Sequence, residues 1–310
     1  MCKVHKLFLL LLLCSVITIP AQEFAPWIHH DFNNAMRVKE YVQSIRSTEK
    51  FVGLDGIELY KFFRNLYNEH SPLQFTPDDQ PRIPRIIHQI WLGSPVPEVF
   101  QKYIKTWKEN HPGWKYKLWT DADVKKLKLH NQELYDKATN YGEKSDILRY
   151  EILYRAGGVY VDMDFECLRS LDLFHYTYDF YVGIQPLDSF YLQLNNALIG
   201  SAPKHPILKQ CIDGMKANEH IKSIPAKTGP IHLTKCFFEL AGKGDRRDIA
   251  LPALYFYPLT CFAKVCEREK WIKEGAYAVH HWARSWMPSQ CRKEEFKVIK
   301  NDHQVQTWNG

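Results

Sequence analysis

The feature that most constrains this chain is the segment 144–172, KSDILRYEILYRAGGVYVDMDFECLRSLD. Its apolar residues recur at helical spacing up to Gly157-Gly158, and glycines commonly end helices because they accept positive φ. A short β-branched run follows and predicts a buried strand, with Asp162 and Asp164 at its far end. Open α/β sheets bind ligands at the carboxyl ends of their strands, and Mn²⁺ and Mg²⁺ prefer oxygen ligands. The segment therefore predicts an α/β fold with a metal site at this point.

A D-x-D pair alone does not justify that interpretation, because about one such pair is expected by chance in a chain this long. A second pair, Asp121 and Asp123, follows Trp119-Thr120 and is predicted to open a helix. There the carboxylates offer N-cap oxygens and favourable charge to the first helical turn. The preference for Asp162 and Asp164 as the metal site therefore depends on their context.

The helix before the glycine pair carries two further charged residues of interest. Ser145 or Asp146 is predicted to cap this helix, because both directly precede its apolar run. Asp146 and Arg149 are three residues apart, so their side chains share one face near the amino end of the helix. An exposed ion pair on that face is the simpler alternative to a functional role.

The block S-D-I-L-R-Y-x-x-L-Y-x-x-G-G-V-Y-x-D-x-D resembles the core of the DXD sugar-binding glycosyltransferases. It is most similar to family 32, which includes yeast Golgi α-1,6-mannosyltransferases and inositol-phosphoceramide mannosyltransferases. The glucosylating clostridial toxins resemble it more distantly. The resemblance spans roughly residues 82–287. Further matching pieces occur in the expected order at 83–93, 112–119, 196–200 with His205-Pro206, 228–230 and 278–286.

The resemblance implies a GT-A-like, nucleotide-sugar-binding open α/β sheet flanked by helices, with an N-terminal helical stem or cover. We expect helices at 38–46 and 56–67, and a first strand at 85–91 that is buried on both faces. The predicted organisation is a signal peptide or signal anchor at 1–22, the helical stem or cover at 23–81, the GT-A-like glycosyltransferase domain at 82–290 and a C-terminal tail at 291–310.

The resemblance also implies a metal site for Mn²⁺ or Mg²⁺. Asp164 should bind the ion directly, and Asp162 should touch the ribose or sugar and reach the ion through water. His280 corresponds to a C-terminal position where enzymes of this fold place a further ligand. His281 would point to the opposite face of a strand, so only one of the two histidines can be a ligand.

The donor-binding residues follow from the same resemblance. Trp91 should lie against the nucleotide base, and Tyr160 should line the base pocket, although either ring would also suit a core. Asp146 and Arg149 should hold hydroxyls of the donor sugar through charge-assisted hydrogen bonds. Asn196 is a weaker donor-site candidate. Ser285 and Trp286 resemble the pair that closes over the diphosphate, and the residues expected to carry catalysis are Asp146, Arg149, Asp162 and Asp164.

The implied reaction is transfer of a hexose, with mannose favoured, from a nucleotide-diphosphate sugar to a lipid, glycan or protein, with retention of configuration. GDP-mannose is the favoured donor, and UDP-hexoses are open alternatives. A catalytically inactive sugar- or nucleotide-binding protein of the same fold is the alternative function. The net charge is +6 without a long Lys/Arg block, so nucleic-acid binding is not expected.

The N-terminus predicts export. Lys3 and Lys6 precede a 7–19 apolar run that is short for a membrane span, so a cleaved signal peptide or a type II anchor is expected. The protein is then placed in a secretory lumen, at the Golgi membrane, or secreted to or beyond a bacterial envelope. The cysteines outside this segment permit disulfides, with Cys261 and Cys266 near enough to pair. No C-x-x-C pair occurs, so no zinc site is expected.

Overall fold

The computed structural model describes residues 24, 26–189, 191–260, 267–283 and 285. The predicted export segment, the Cys261 and Cys266 pair, Trp286 and the predicted C-terminal tail lie outside the described residues. In the part of the chain that is described, no helix is both long enough and apolar enough to cross a bilayer.

An open, mixed six-stranded sheet forms the centre of the molecule, with the order β2-β1-β3-β6-β5-β7. Strand pairs β1/β2, β1/β3 and β5/β7 are parallel, whereas β6 runs antiparallel to both β3 and β5. Its strands are β1 Ile86–Ile90, β2 Lys115–Trp119, β3 Gly158–Val161, β5 Phe180–Ile184, β6 Leu194–Ser201 and β7 Asp248–Leu251. The predicted α/β class and open sheet are confirmed, and the predicted first strand is β1.

A second, two-stranded sheet pairs β4 Phe165–Cys167 with β8 Ala278–His280 in antiparallel orientation. Strand β4 directly follows the aspartate pair, and its first residue, Phe165, lies opposite His280. This small sheet therefore brings the C-terminal histidines to the end of β3, although more than a hundred residues separate them in sequence.

Helices flank the sheet. Their bounds are α1 Phe32–Met36, α2 Val42–Arg46, α3 Thr48–Val52, α4 Gly56–His70, α5 Glu98–Asn110, α6 Asp121–Val124, α7 Gln132–Lys137, α8 Tyr141–Ala156, α9 Asp172–Thr177, α10 Pro206–Gly214, α11 Ile224–Lys227, α12 Pro230–Leu240, α13 Ala253–Phe256 and α14 Arg268–Lys273. The helix predicted at 38–46 starts later than expected, because α1 ends at Met36, Arg37 follows as a left-handed C-cap, and α2 begins only at Val42.

The N-terminal helices cover one end of the sheet. Helix α4 is capped by the Asp55 carboxylate, which accepts from the Glu58 amide at 2.8 Å. Its apolar face buries Phe63 and Tyr67 in the same core as the central strands. The Tyr67 hydroxyl also lies 2.8 Å from that of Tyr255. The N-terminal part is thus a helical cover packed on the sheet, while the predicted boundary at residue 81 stays a prediction.

Helix α8 carries two residues of the predicted site and begins earlier than the sequence indicated. Its N-cap is Asn140, whose side chain accepts from the amides of Gly142 and Glu143. The prediction of a cap at Ser145 or Asp146 is therefore wrong, and Asp146 lies inside the helix. The predicted end is correct, because Gly157 closes the helix with φ 63°.

Candidate active site

The predicted site residues that the structure describes all line one cavity of about 520 Å³. It lies where β1 and β3 end and where antiparallel β6 begins, so one edge of the sheet supplies most of its floor. The residues concerned are Trp91, Asp146, Arg149, Tyr160, Asp162, Asp164, Asn196, His280 and Ser285. Trp286, the remaining predicted member, lies outside the described residues.

Three potential metal ligands converge at the end of β3. Ligand atoms of Asp162, Asp164 and His280 all lie within 4.8 Å of one another. His280 Nε2 is 3.2 Å from Asp164 Oδ1, and the imidazole stacks on Phe165 with ring centroids 4.8 Å apart. The other imidazole nitrogen, Nδ1, is buried and has no hydrogen-bond partner among the residues that the structure describes. Two carboxylates and one imidazole, held by adjacent strands, form a donor set suited to a divalent cation.

The turn after β8 fixes the second oxygen of Asp164. Trp282 adopts a positive φ of 51°, which is uncommon for a residue with a bulky side chain. The turn directs the Ala283 amide toward Asp164, and this amide donates to Oδ2 at 2.7 Å. Backbone conformations of this kind cost about 1–3 kcal/mol and occur preferentially at functional sites. Here the unusual residue lines the cavity, and its ring lies 4.3 Å from that of His280.

Burial perturbs both aspartates of the pair. Burial raises the pKa of Asp162, and the Arg149 guanidinium opposes this rise while the neighbouring Asp164 charge adds to it. Burial also acts to raise the pKa of Asp164, but His280 and the Ala283 amide outweigh it and hold that pKa below its usual value. Two adjacent carboxylates, Asp164 buried and Asp162 partly buried, with little compensating positive charge favour a bound cation.

Asp146 and Arg149 form a buried ion pair and not the exposed pair that was the simpler alternative. Arg149 Nη2 lies 3.1 Å from Asp146 Oδ1, and both side chains are at least nine-tenths buried. Arg149 Nη1 donates to the Asn196 carbonyl at 2.6 Å and lies 3.5 Å from Asp162 Oδ1. The guanidinium therefore links helix α8, strand β6 and the aspartate pair.

Asp146 has two further partners from outside its helix. Asn196 Nδ2 donates to Oδ1 at 2.8 Å, and the Thr228 hydroxyl donates to Oδ2 at 3.2 Å. Burial nevertheless raises the pKa of Asp146 to about 6, with the Arg149 charge opposing the rise. A side chain added at Gly229 would come within 3.1 Å of Asp146 Oδ2, so the chain approaches the carboxylate closely there.

The aromatic candidates occupy different positions in the cavity. The Tyr160 hydroxyl donates to Asp162 Oδ1 at 2.5 Å, and the Arg149 guanidinium lies over the Tyr160 ring at 4.4 Å. Trp91 is partly buried at the cavity wall and donates to the Ser94 hydroxyl at 3.1 Å. Tyr160 therefore orients charged groups, whereas Trp91 presents a flat ring to the cavity.

His281 lies outside this cluster. Its Nε2 is 3.1 Å from Glu166 Oε2, and its ring stacks on Tyr103 with centroids 4.5 Å apart. The expectation that only one of the two histidines can join the aspartates agrees with this geometry, in which His280 is the neighbour of Asp164.

The second D-x-D sequence opens α6, as predicted, but with different roles. Thr120 is the N-cap, and Asp123 completes a capping box by accepting from the Thr120 amide at 3.1 Å. The Lys117 ammonium and the Thr120 hydroxyl lower the pKa of Asp123 to about 2. Asp121 is no cap; it accepts from the Gly93 amide at 2.8 Å and so holds the loop after β1.

Sequence reasoning missed several residues of the cavity wall. Thr228, the partner of Asp146, belongs to a motif that was noticed without a role. Gln185 and Asn195 lie at the ends of β5 and β6 and share a hydrogen bond of 3.3 Å. No local signal identifies these residues, because only the strand order brings them to the site. The other lining residues not predicted include Gly93, Ser94, Tyr141, Ser189, Ile224, Pro225, Pro230 and Trp282.

Comparison with known proteins shows what this chain is similar to. The family model for the glycosyltransferase sugar-binding region containing a DXD motif matches residues 97–181. Inositol phosphoceramide mannosyltransferase 3 of Schizosaccharomyces pombe is 30% identical over 220 residues, which is 65% of this chain and 60% of the relative. Mannosyl phosphorylinositol ceramide synthase SUR1 of Saccharomyces cerevisiae is 32% identical over 64% of this chain and 55% of its own length. The chain thus spans somewhat more than half the length of these relatives.

Among solved structures, the catalytic domain of alpha-toxin from Clostridium novyi is similar with a TM-score of 0.45 and 10% identity, over 87% of this chain and 92% of that one. The family model covers the D-x-D pair at the end of β3 together with Asp146 and Arg149. The predicted resemblance to the DXD sugar-binding glycosyltransferases is confirmed by this match.

Proposed function

We propose that this protein is a metal-dependent, retaining hexosyltransferase that uses a nucleotide-diphosphate sugar. Mannose is the favoured sugar and GDP-mannose the favoured donor, with UDP-hexoses as alternatives. The mannosyltransferase names of the relatives support this choice. The observation that carries the proposal is the convergence of Asp162, Asp164 and His280 next to the buried Asp146–Arg149 pair in one cavity.

The side chains at the end of β3 fit a divalent cation, Mn²⁺ or Mg²⁺. Asp164 and His280 would hold it directly, with Asp162 beside them, and the orphaned Nδ1 of the imidazole supports a role for this ring beyond packing. Such an ion supplies positive charge that neutralises the departing diphosphate. To act as a ligand, His280 Nε2 would present its lone pair to the ion, with the ring proton carried on Nδ1.

Asp146 and Arg149 are placed to bind donor-sugar hydroxyls. Arg149 is held by carbonyl and carboxylate oxygens on three sides, so its remaining donors have a fixed direction. Asp146 is fixed by Asn196 and Thr228 in the same way. Preorganised charged partners of this kind bind and orient a polyol without paying the cost of reorganisation at the moment of reaction.

The carboxylates of the cavity also bear on the stereochemistry. Among the described lining residues they are Asp146, Asp162 and Asp164, and each is held by other protein groups. These contacts assign each carboxylate to holding Arg149, Tyr160 or the Ala283 amide, and none is singled out as a nucleophile. We therefore favour front-face substitution: the acceptor oxygen bonds to the anomeric carbon as its bond to the diphosphate oxygen breaks, and that departing oxygen takes the acceptor proton.

The acceptor and the location are less constrained. A lipid is supported by the names of the relatives, which act on inositol phosphoceramide, and glycan or protein acceptors remain alternatives. The N-terminal segment supports a secretory lumen, a Golgi membrane, or a bacterial envelope or secreted location, with the membrane reached through that segment.

A donor panel tests the proposal. The purified full-length chain is incubated with GDP-mannose, UDP-galactose, UDP-glucose and UDP-N-acetylglucosamine, with Mn²⁺, Mg²⁺ or excess EDTA, and nucleotide release is measured. We expect release from one donor that needs a divalent ion. Donor binding in calorimetry without turnover on any acceptor class would favour the inactive binding protein. Full activity in EDTA would refute the metal requirement.

A further inference from the structure

A second cluster of metal-ligating side chains lies outside the candidate active site, between helices α10 and α12. Cys211 on α10 and His232 and Cys236 on α12 bring their ligand atoms within 4.8 Å of one another. All three residues are buried, with 0%, 5% and 4% of their surface exposed. They are also separate from the described lining of the sugar-binding cavity.

The local geometry explains why these side chains meet. His232 and Cys236 are four residues apart, so they share one face of α12, and α10 packs against that face. His232 Nε2 lies 4.0 Å from Cys236 Sγ and donates to the Cys211 carbonyl oxygen at 2.8 Å, a hydrogen bond that a bound ion would replace. Its other nitrogen, Nδ1, is 3.0 Å from Asn218 Nδ2. Metal-bound histidines nearly always have such an outer partner, and an amide side chain can turn to accept from Nδ1–H.

We propose that Cys211, His232 and Cys236 form a binding site for a thiophilic d¹⁰ metal ion, Zn²⁺ or Cu(I). Zinc binds sulfur at about 2.3 Å and imidazole nitrogen at about 2.0 Å, so bound ligand atoms lie about 3.5–3.8 Å apart. The cluster therefore needs to contract by only about 1 Å to close around such an ion. Two thiolates and one imidazole are the donors that Zn²⁺ and Cu(I) select.

The buried Cys167 provides the contrast. Its sulfur lies 4.0 Å from His111 Nδ1, much as Cys236 lies near His232, but among the described residues its cluster has no second thiol. Cys167 instead donates to the Arg169 carbonyl at 3.2 Å. Because the sequence has no C-x-x-C pair, no zinc site was expected. The spacing of cysteines along one segment does not reveal this cluster, because its ligands come from two helices, α10 and α12.

The cluster also lies close in sequence to the sugar-binding cavity. Helix α12 begins at Pro230, which lines that cavity and follows Thr228, the partner of Asp146. An ion that ties α12 to α10 would hold the start of α12 in place. Its loss should therefore reduce thermal stability without removing any residue that touches the donor.

Metal content and spectroscopy test the proposal on the purified full-length chain. We expect about one equivalent of Zn²⁺ or Cu(I) per chain by mass spectrometry, with separate loading arms for the two ions. Co²⁺ loading should give an ultraviolet thiolate-to-cobalt charge-transfer band, which the carboxylate cluster of the active site cannot produce. The band and the metal equivalent should be lost in Cys236→Ser and kept in the matched variant Cys167→Ser.

Three results would overturn the proposal. One is failure of the fully reduced wild-type protein to bind either ion, a result that does not depend on any variant being folded. Another is a Cys211–Cys236 disulfide in peptide mapping of the native protein, because oxidised sulfurs cannot supply thiolates. The third is equal metal content and band intensity in folded Cys236→Ser.

Discussion

Replacing His280 with alanine should remove the stabilisation that Mn²⁺ gives to the folded protein, whereas replacing His281 should leave it intact. The two residues are neighbours in sequence and both are histidines, so each variant controls for the other. His280 Nε2 contacts Asp164 at 3.2 Å, while His281 Nε2 contacts Glu166 at 3.1 Å. Both variants remove the same kind of side chain, so any difference between them is due to where the imidazole lies.

Without metal, both variants should be less stable than the wild type, and His280→Ala more so. His280 loses a hydrogen bond to a carboxylate and ring contacts with Phe165 and Trp282, together about 2–5 kcal/mol. His281 has a side chain 20% exposed and loses its contacts with Glu166 and Tyr103, about 1–2 kcal/mol. Stability in EDTA alone thus does not identify the ligand.

The added effect of Mn²⁺ does identify it. At an ion concentration of about 100 times the dissociation constant, binding stabilises the fold by about 2.7 kcal/mol. If losing one ligand weakens binding by about 100-fold, the stabilisation falls to about 0.4 kcal/mol. For a chain of this size the wild-type effect corresponds to a rise in melting temperature of about 4 °C.

The assay is a set of thermal melts of wild type, His280→Ala and His281→Ala in EDTA and across a Mn²⁺ titration. Nucleotide release is measured at the same ion concentrations. We expect His281→Ala to show the same rise in melting temperature on addition of Mn²⁺ as the wild type, and the same Mn²⁺ concentration for half-maximal activity. If Mn²⁺ raises the melting temperature of His280→Ala as much as that of the wild type, His280 is not a ligand of the ion.

Three further perturbations address other parts of the site. Asp164→Asn should lower turnover by about 100-fold or more with the fold retained in circular dichroism, while the exposed Asp213→Asn leaves turnover unchanged. Asp146 has a pKa of about 6 in the folded protein against an ordinary 3.8, so its contribution to stability is complete below pH 3.8 and is lost as the pH rises through 6. Urea unfolding across this range should show a shallower pH dependence in Asp146→Asn, and an unchanged dependence would contradict the assignment. Trp91→Ala should raise the donor KM by about 5-fold or more with little change in kcat, since base stacking contributes about 1–3 kcal/mol; an unaltered KM would place the base elsewhere.

The part of the site that sequence predicted best is local. Helix α8, Gly157 and strand β3 are consecutive, so helical periodicity and the glycine signal suffice to place Asp162 at the end of a buried strand. The start of the same helix was misplaced because Asn140 caps it through Gly142, a residue type that usually marks a turn. A buried aspartate within a helix contradicts the usual surface pattern. Such local exceptions are expected where a chain binds a ligand.

The role of Asp146 depends on contacts that no local pattern encodes. Thr228 and Asn196 reach its carboxylate from a loop before α12 and from the antiparallel strand β6. Helical periodicity within α8 can place Asp146 on one face of that helix. Whether that face is buried depends on the order of the strands in the sheet, because β6 supplies Asn196 as a partner of Asp146. The exposed ion pair that was the simpler alternative and the buried pair that is observed would therefore give the same pattern in the sequence.

Gly229 illustrates how such long-range information is nevertheless present in the sequence. Its φ is −93°, so no left-handed conformation requires glycine there. The requirement comes from space: an added Cβ would lie 2.9 Å from the Pro225 Cα and 3.1 Å from Asp146 Oδ2. The Thr228-Gly229 pair therefore combines one donor to the carboxylate with the close approach that lets this donor reach it. Both residues can be read from the sequence. Their roles cannot, because these roles depend on Asp146, which comes close to them only in the folded chain.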